Sequence, residues 1–238
     1  MQGMMMHRGG EIVTRDQLDL IKVPDQTDSY IPVSHYALAD KITSFSKDLL
    51  RDYSLVGENY AVARQGNQMF ALLKFKSDNE EMGLSVAFRN SYDKSMSVGI
   101  AIGASVFICD NLALHGDIAI MKKHTKNVWD GLGDLAIATL YKAQKNFDKV
   151  VYDSQRMKEI PVNNDEAFRL MGYLYGHNLV SPRQITVLKD EWLKPSHEEF
   201  QDRNMWSLFN AATECLKSTP PTIIMEKHAG VYQALAGG

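Results

Sequence analysis

SMSVGIAIGASVFICDN, residues 95–111, has the alternating pattern of a β-strand with two unlike faces. One face carries the large apolar side chains Met96, Val98, Ile100, Ile102, Val106 and Ile108. The other face carries the small residues Ser95, Ser97, Gly99, Ala101, Gly103 and Ser105. Because successive side chains of a strand point to opposite sides of the sheet, this stretch predicts a strand covered on both faces.

The small face of this strand lacks side-chain bulk, so another backbone can approach it closely. We expect a helix to pack there, and the helix predicted after residue 133 is the candidate. An alternative interpretation is a groove for an extended ligand, lined by Arg89.

Three further stretches extend this strand into a sheet. GLSVAFRNS, residues 83–91, repeats the alternation of large and small residues, and the following YDKS predicts a hairpin turn. ENYAVARQGNQMFALLKFKS, residues 58–77, predicts another hairpin around a two-residue turn at Gly66 and Asn67. LALHGDIAIM, residues 112–121, could add one more strand. The prediction is an antiparallel sheet of four to five strands.

Helical periodicity precedes and follows the predicted sheet. Ser34 is a predicted N-cap for a helix over residues 35–50. Residues 134–160 predict a long amphipathic helix, because one stripe of it carries Leu140, Ala143, Phe147, Val150 and Val151. Further helices are predicted over residues 163–176, 181–193, 203–217 and 222–235.

The order of these elements predicts an α+β class. Residues 34–238 are expected to form a single α+β domain, sheet-rich over residues 34–124 and helical over residues 125–238. Residues 1–33 are polar and irregular, which predicts an extended arm that covers a sheet edge or reaches a neighbouring subunit.

The composition limits the class of protein and its partners. The formal charge of the 238-residue chain is −3, so nucleic-acid binding would need a local basic patch. Two cysteines without metal-ligand spacing indicate a reducing compartment. Neither a signal peptide nor an apolar membrane span is recognisable, so we expect a cytoplasmic protein that does not enter a membrane.

Signatures of cofactor, metal and nucleophile sites are missing from the sequence. GLGD at residues 131–134 lacks the P-loop lysine and the dinucleotide-binding context, so no cofactor is predicted. The scattered histidines have no metal-ligand spacing, so no metal is predicted either. We therefore favour a protein without catalytic residues. The alternative is an enzyme of unknown class that uses Asp93, Cys109 and His115.

MKKHTKN, residues 121–127, is the densest cluster of positive charge. Lysine and arginine neutralise phosphates, and aromatic rings hold unstacked bases. The predicted phosphate contacts are Arg64, Lys74, Lys76, Arg89, Lys122, Lys123 and Lys126, and the predicted stacking residues are Tyr60, Phe70 and Tyr92. A solvated connecting loop is the alternative interpretation of the cluster.

The helix predicted over residues 203–217 carries Trp206, Asn210 and Thr213 on one stripe. These side chains are expected to cap the core against the sheet. They could also hydrogen-bond a loop or a ligand.

Two of these stretches, with a third short motif, resemble a known family. RNSYDKS at residues 89–95, then CDN at residues 109–111 and WSLFNAATE at residues 206–214, are similar to the motifs of domain of unknown function 932. The matching residues are Arg89, Asn90, Ser91, Asp93, Ser95, Cys109, Asn111, Trp206, Asn210, Ala211 and Thr213. Tyr92 replaces the usual histidine of the family motif, and Lys94 replaces its glycine.

The resemblance implies a setting among phage and plasmid genes, with work in DNA replication, recombination or host defence. In outline, a helix, two hairpins and following helices also resemble the RecT and Red-beta type of single-strand annealing protein. That comparison is an analogy of fold alone.

We therefore expect a non-enzymatic protein that binds single-stranded nucleic acid as a homo-oligomer, with possible strand annealing. The alternative is a protein that binds and inhibits a host defence or restriction enzyme, for which the mild negative charge is better suited.

Overall fold

A computed structural model describes residues 10–76, 81–106, 112–114, 120–122, 128–220 and 222–236. Its strands are β1 (Glu11–Val13), β2 (Ser54–Ala63), β3 (Gln68–Lys76), β4 (Met82–Ser91), β5 (Val98–Val106), β6 (Leu112–Leu114) and β7 (Ile120–Lys122). Its helices are α1 (Arg15–Asp19), α2 (His35–Leu49), α3 (Val128–Tyr141), α4 (Ala143–Glu159), α5 (Asn164–Gly176), α6 (Pro182–Leu193), α7 (Met205–Leu216) and α8 (Ile224–Ala236). The predicted α+β class is confirmed. Within these residues, no helix combines the length and apolar character needed to cross a membrane.

The strands form one antiparallel sheet in the order β1-β2-β3-β4-β5-β6. β7 also pairs with β5, beside β6 on the same edge. The stretch predicted as one strand over residues 112–121 therefore gives two short strands on different parts of β5. The two long hairpins, β2–β3 and β4–β5, are the ones predicted from the sequence.

The first hairpin differs from the prediction in its loop. Ala63 pairs with Gln68, so the loop has four residues instead of two. Arg64, Gln65 and Gly66 all have positive φ, and a Cβ on Gly66 would lie 2.9 Å from Ile21 Cγ2. The pairing shifts by two residues relative to the predicted turn, and an even shift leaves every side chain on its predicted face.

The large face of the sheet belongs to the main hydrophobic core. Val86 and Ile102 lie in this core with Leu38 of α2, Leu132 of α3 and Val150 of α4. Burial of such side chains contributes about 1.5–3 kcal/mol each before conformational entropy is subtracted. The alternation along β4 and β5 therefore predicted the core-facing residues correctly.

The start of the C-terminal helix packs on part of the small face. A separate apolar cluster joins the sheet to the first residues of α8, and it consists of Phe70, Leu72, Ala87, Ala101, Ile224 and Met225. The prediction that the helix after residue 133 fills this position is wrong for this cluster, although α4 does contact β4 and β5. The physical reason lies in Arg89, which shares this face and needs a carboxylate.

Arg89 is 1% exposed and is held by α8. Its guanidinium donates to both carboxylate oxygens of Glu226, at 2.9 and 2.7 Å, and to the carbonyl oxygen of Thr222 at 2.9 Å. Two parallel hydrogen bonds between guanidinium and carboxylate fix the orientation of both groups. The pair therefore positions the first turn of α8 on the small face.

The helices follow their predicted caps, with one interruption. Ser34 and Ser181 accept hydrogen bonds from the backbone N–H groups of Ala37 and Gln184, as expected for N-caps. The long helix predicted over residues 134–160 begins earlier and breaks at Lys142, whose N–H bonds to the carbonyl oxygen of Thr139. This tighter bond ends α3 before α4 begins.

Residues 10–33 were predicted as part of an extended arm, but they contain local structure. β1 pairs with Tyr60–Val62 and so covers part of the β2 edge. Leu18 of α1, Tyr30 and Val33 are buried in the core. These apolar residues are too widely spaced to give a helical or strand period, which is why the sequence alone did not reveal them.

We predict that Glu226→Ala destabilises the protein by about 1–3 kcal/mol, because the buried Arg89 guanidinium loses its carboxylate. Urea unfolding measures this change in free energy. Glu159→Ala, which removes an exposed carboxylate at the end of α4, is the matched control and should change stability little. Equal losses in the two variants would contradict this role of Glu226.

Candidate nucleic-acid interface

The motif RNSYDKS lies at the end of β4 and in the turn that follows. Asn90 Nδ2 donates to the carbonyl oxygen of Val33 at 2.6 Å and to His35 Nδ1 at 2.9 Å. His35 Nε2 lies 2.9 Å from the carbonyl oxygen of Gly66. These partners assign His35 as the neutral tautomer with its proton on Nε2. Asn90 and His35 thus join β4, the start of α2 and the first hairpin loop.

Tyr92 is packed inside the same cluster. Its ring stacks on His35 with centroids 3.8 Å apart, and its hydroxyl accepts from the His35 backbone N–H at 2.8 Å. Burial raises the pKa of the Tyr92 phenol, against the opposing effect of that hydrogen bond. Tyr92 therefore supports the fold.

Asp93 and Ser95 organise the turn between β4 and β5. Gln68 Nε2 donates to Asp93 Oδ2 at 3.0 Å and to Ser95 Oγ at 2.8 Å, and the Ser95 N–H donates to Asp93 Oδ1 at 3.0 Å. Burial opposes ionisation of Asp93, but the hydrogen bonds from Ser95 and Gln68 outweigh it and hold the pKa of the carboxyl below its usual value. Ser91 Oγ donates to the carbonyl oxygen of Met96 at 2.8 Å.

The second motif lies in α7 and is also buried. The Trp206 ring stacks on Phe209 with centroids 5.5 Å apart. Asn210 Nδ2 donates to the carbonyl oxygen of Trp206 at 2.9 Å, and Thr213 Oγ1 donates to that of Asn210 at 3.0 Å. These contacts place the motif within the helical core.

Four of the predicted nucleic-acid contacts are corrected by the structure. Arg89, Tyr60, Phe70 and Tyr92 are all buried and have no surface for a strand to contact in this conformation. Phe70 lies under α8, and Tyr60 donates its hydroxyl to Glu58 Oε2 at 2.8 Å. Burial raises the pKa of Tyr60 to about 12. β3, β4 and β5 are buried along nearly their whole length, as are residues 60–62 of β2, so the aromatic residues of these segments serve the core.

Those remaining predicted contacts whose side chains the structure describes do not share one surface. Arg64 lies at the tip of the first hairpin, whereas Lys74 and Lys76 lie toward the opposite end of β3. At about 3.3 Å per residue, the eight steps along β3 separate these ends by about 26 Å. Lys122 is in β7, on the other side of β5, and its side chain is not described. Lys123, Lys126, Cys109, Asn111 and His115 lie outside the described residues.

An exposed row of basic and aromatic side chains occurs instead on α4. The row begins at Lys142, directly before α4, and continues through Lys145, Lys149, Tyr152 and Arg156 of α4. These residues follow one another at intervals of three and four, so they share one helix face. We call these five residues the basic row. Tyr152 is 64% exposed, and Tyr141, at the end of α3, is 83% exposed. The acidic Asp148 lies beside the row and accepts a hydrogen bond from Gln144 at 3.3 Å.

A buried carboxylate anchors two members of the basic row. Asp153 is 1% exposed and accepts from Lys149 Nζ at 2.7 Å, while Arg156 Nη1 lies 3.9 Å from Asp153 Oδ1. The Tyr232 hydroxyl of α8 also donates to Asp153. Burial raises the pKa of the Tyr232 phenol, and the adjacent carboxylate raises it further. Asp153 therefore connects the basic row to the packing of α8.

The basic row was missed in the sequence because its helix was read for the apolar stripe alone. The sequence does contain the pattern. Helical spacing places Lys145, Lys149, Tyr152 and Arg156 on the helix face opposite the apolar stripe. The sequence does not tell which face of a predicted helix remains uncovered when several helices pack together.

A wide surface depression of about 610 Å³ lies beside the start of α5, lined by Pro161–Asn164, Glu166 and Arg203. Its polar groups are already bonded. Asn163 and Glu166 cap α5, Asn164 Oδ1 accepts from Trp192, and Arg203 donates to the carbonyl oxygens of Trp192 and Leu193. These side chains therefore serve contacts within the fold.

The described elements define an α+β protein in which a two-faced antiparallel sheet is combined with a helical C-terminal half. A family model described as Domain of unknown function (DUF932) matches residues 28–228, and the chain belongs to this family. No curated protein and no solved structure matches the chain. The predicted family is thus confirmed. The positions of RNSYDKS and WSLFNAATE in the core show what these two segments hold together.

We predict that Asn90→Ala lowers the free energy of unfolding by about 1–3 kcal/mol, because the buried Val33 carbonyl and His35 Nδ1 lose their donor. Chemical denaturation measures the loss. Asn146→Ala, at a half-exposed position of α4, should have little effect or a slightly stabilising one, because alanine favours the helix. An Asn90→Ala variant as stable as the Asn146→Ala variant would exclude this role.

The lowered pKa of Asp93 predicts a pH-dependent contribution to stability. A carboxyl with a lowered pKa in the folded protein stabilises it fully above its unfolded pKa of about 4, and this contribution is lost as the pH falls through the folded pKa. The stability difference between the wild type and Asp93→Asn should therefore shrink as the pH decreases from about 5 to about 2. Urea unfolding across this range tests it, and a constant difference would refute it.

Proposed function

We propose that this protein binds single-stranded nucleic acid through the basic row of α4 and the adjacent Tyr141. The observation that carries the proposal is the alignment of four exposed cationic side chains with the exposed Tyr152 on one helix face, with the exposed Tyr141 directly before the row in the chain. Cations along a groove or helix contact successive phosphates, while aromatic rings stack on unpaired bases of any sequence.

The dimensions and anchoring of the row support this proposal. Lys142 and Arg156 are 14 residues apart, which corresponds to about 21 Å along a helix and spans several phosphates. Lys149 is oriented by the buried Asp153, so part of the row is ordered before a ligand binds. Binding of this kind needs no covalent chemistry, no cofactor and no metal.

Assembly into a homo-oligomer is part of the proposal. β1 pairs with residues 60–62 of β2, and residues 54–59 of β2 extend beyond it along the same edge. Val56 in this segment is 54% exposed. Arg15 of α1 is bonded to Glu58, so the proposed pairing segment is residues 54–57. An exposed strand edge is a template for pairing with another chain, and a second copy could add a strand there.

The first test is a fluorescence-anisotropy titration with labelled single-stranded and duplex DNA at two salt concentrations. Light scattering on the same samples reports the mass of the complex. We expect a salt-sensitive preference for single strands.

The double variant Lys142→Ala/Lys145→Ala should lower the slope of log K against log salt by about 1.4, because each single-strand phosphate contact contributes about 0.7. Tyr152→Ala should weaken binding about 5- to 100-fold with the slope unchanged.

Three further variants locate the interface, and the first two are controls. Lys189→Ala/Lys194→Ala removes two exposed lysines, one in α6 and one just after it, and Tyr175→Ala removes an exposed tyrosine of α5. Both variants should leave binding unchanged. Lys122→Ala/Lys123→Ala tests the cluster originally identified in the sequence. An effect confined to this last variant would move the interface to that cluster, and absence of binding at low salt would reject the proposed function.

The second candidate function is binding to a host defence or restriction enzyme, and α5 supplies the observation that favours it. Phe168 is 42% exposed and Tyr175 is 47% exposed on one face of this helix, with open space in front of Gly172 between them. Exposed aromatic residues are typical of protein interfaces. A pull-down that survives nuclease treatment and is abolished by Phe168→Asp would favour this function.

A further inference from the structure

A narrow crevice lies where the end of α6, the 3-10 turn at Glu198–Phe200 and α7 meet. Its polar lining consists of Glu191, His197, Ser207, Asn210 and Glu214, and its apolar lining consists of Pro195, Phe200 and Ala211. Asn210 and Ala211 belong to the WSLFNAATE motif, so this crevice uses the face of α7 that carries the family resemblance. It is separate from the basic row.

Ser207 is the observation that points to a ligand in this crevice. The residue is 4% exposed, and its Oγ has no hydrogen-bond partner. A serine hydroxyl inside a helix commonly donates to the carbonyl four residues earlier. Here the carbonyl oxygen of Arg203 accepts from the Val162 N–H at 2.9 Å instead. A buried hydroxyl without a partner is unfavourable, so a group that bonds to it would stabilise the site.

The charge and the size of the crevice define the class of ligand. Glu191 and Glu214 provide carboxylates, of which Glu191 also accepts from Ser196 and Glu214 from Lys217. The cavity volume is about 10 Å³, which is sufficient for one group of the size of a water molecule. An ammonium head is of this size and donates three hydrogen bonds, whereas a planar guanidinium is larger.

A metal ion fits this crevice less well than an ammonium group does. Among the residues that the structure describes, no group of three histidine, cysteine, aspartate or glutamate side chains is arranged to hold a metal ion. The apolar walls of Pro195 and Phe200 are instead suited to an alkyl stem behind a small charged head.

We propose that the crevice binds a primary alkylammonium group. Its three N–H donors bond to Ser207 Oγ and to the carboxylates of Glu191 and Glu214, and its alkyl chain lies against Pro195 and Phe200. A lysine side chain of a partner protein and a free aliphatic polyamine both present this chemistry. This site is independent of nucleic-acid binding by α4.

The test is an NMR titration of the full chain with n-butylammonium, following the backbone amide signals of Ser207 and Ala211. We expect saturable shifts at these signals, while n-butanol and tetramethylammonium, which lack the charge or the N–H donors, give none. Ser207→Ala and Glu214→Gln should each weaken binding about tenfold or more. Ser46→Ala removes another buried hydroxyl without a partner, in α2, and should leave the affinity unchanged.

Two further titrations identify the source of the ammonium group. Tighter binding of cadaverine than of N-acetyl-lysine amide would indicate a free polyamine, and the reverse order would indicate a lysine side chain. Both orders support the site. Equal shifts with n-butanol, or unchanged affinity in both Ser207→Ala and Glu214→Gln, would overturn it. Loss of DNA binding in the α4 variants does not affect this result, so failure of either proposal can be recognised separately.

Discussion

The ion pair between the buried Arg89 and the partly exposed Glu226 is the constraint on which the arrangement of sheet and helices depends. A guanidinium inside a covered sheet face needs a carboxylate, because an unpaired buried charge is strongly unfavourable. Glu226 meets this need from the first turn of α8, and the small side chains Ala87 and Ala101 leave space for that turn. One interaction thereby joins the C-terminal helix to a sheet strand 137 residues earlier in the chain.

The motifs that identify the family are therefore positions of structural connection. Asn90 and Tyr92 bind His35, and Asp93 binds Gln68, so the turn after β4 holds both hairpins and the start of α2 together. The hydrogen bonds of this turn therefore serve contacts within the fold. The exposed surface of the helical half and the crevice on α7 that contains the unbonded Ser207 hydroxyl are the places that we propose for binding.

The same buried network connects the proposed binding surface to the core. Asp153 bonds to Lys149 of the basic row and to Tyr232 of α8, and α8 is itself held by Arg89. Local order in the row thus depends on the packing of the C-terminal helix. Binding energy gained by α4 would not be spent on ordering Lys149, which is the usual advantage of a preorganised side chain.

The sequence by itself determined the α+β class, the two hairpins, the core face of each strand and the caps at Ser34 and Ser181. These features follow from local periodicity and backbone hydrogen bonding, which neighbouring residues are sufficient to specify. Tertiary structure alone decided that the start of α8 packs on part of the small face, that Arg89, Tyr60, Phe70 and Tyr92 are buried, and that the basic row of α4 faces solvent. Each of these outcomes depends on contacts between residues far apart in the chain, and neither charge nor aromatic character indicates in advance which side chains those contacts will cover.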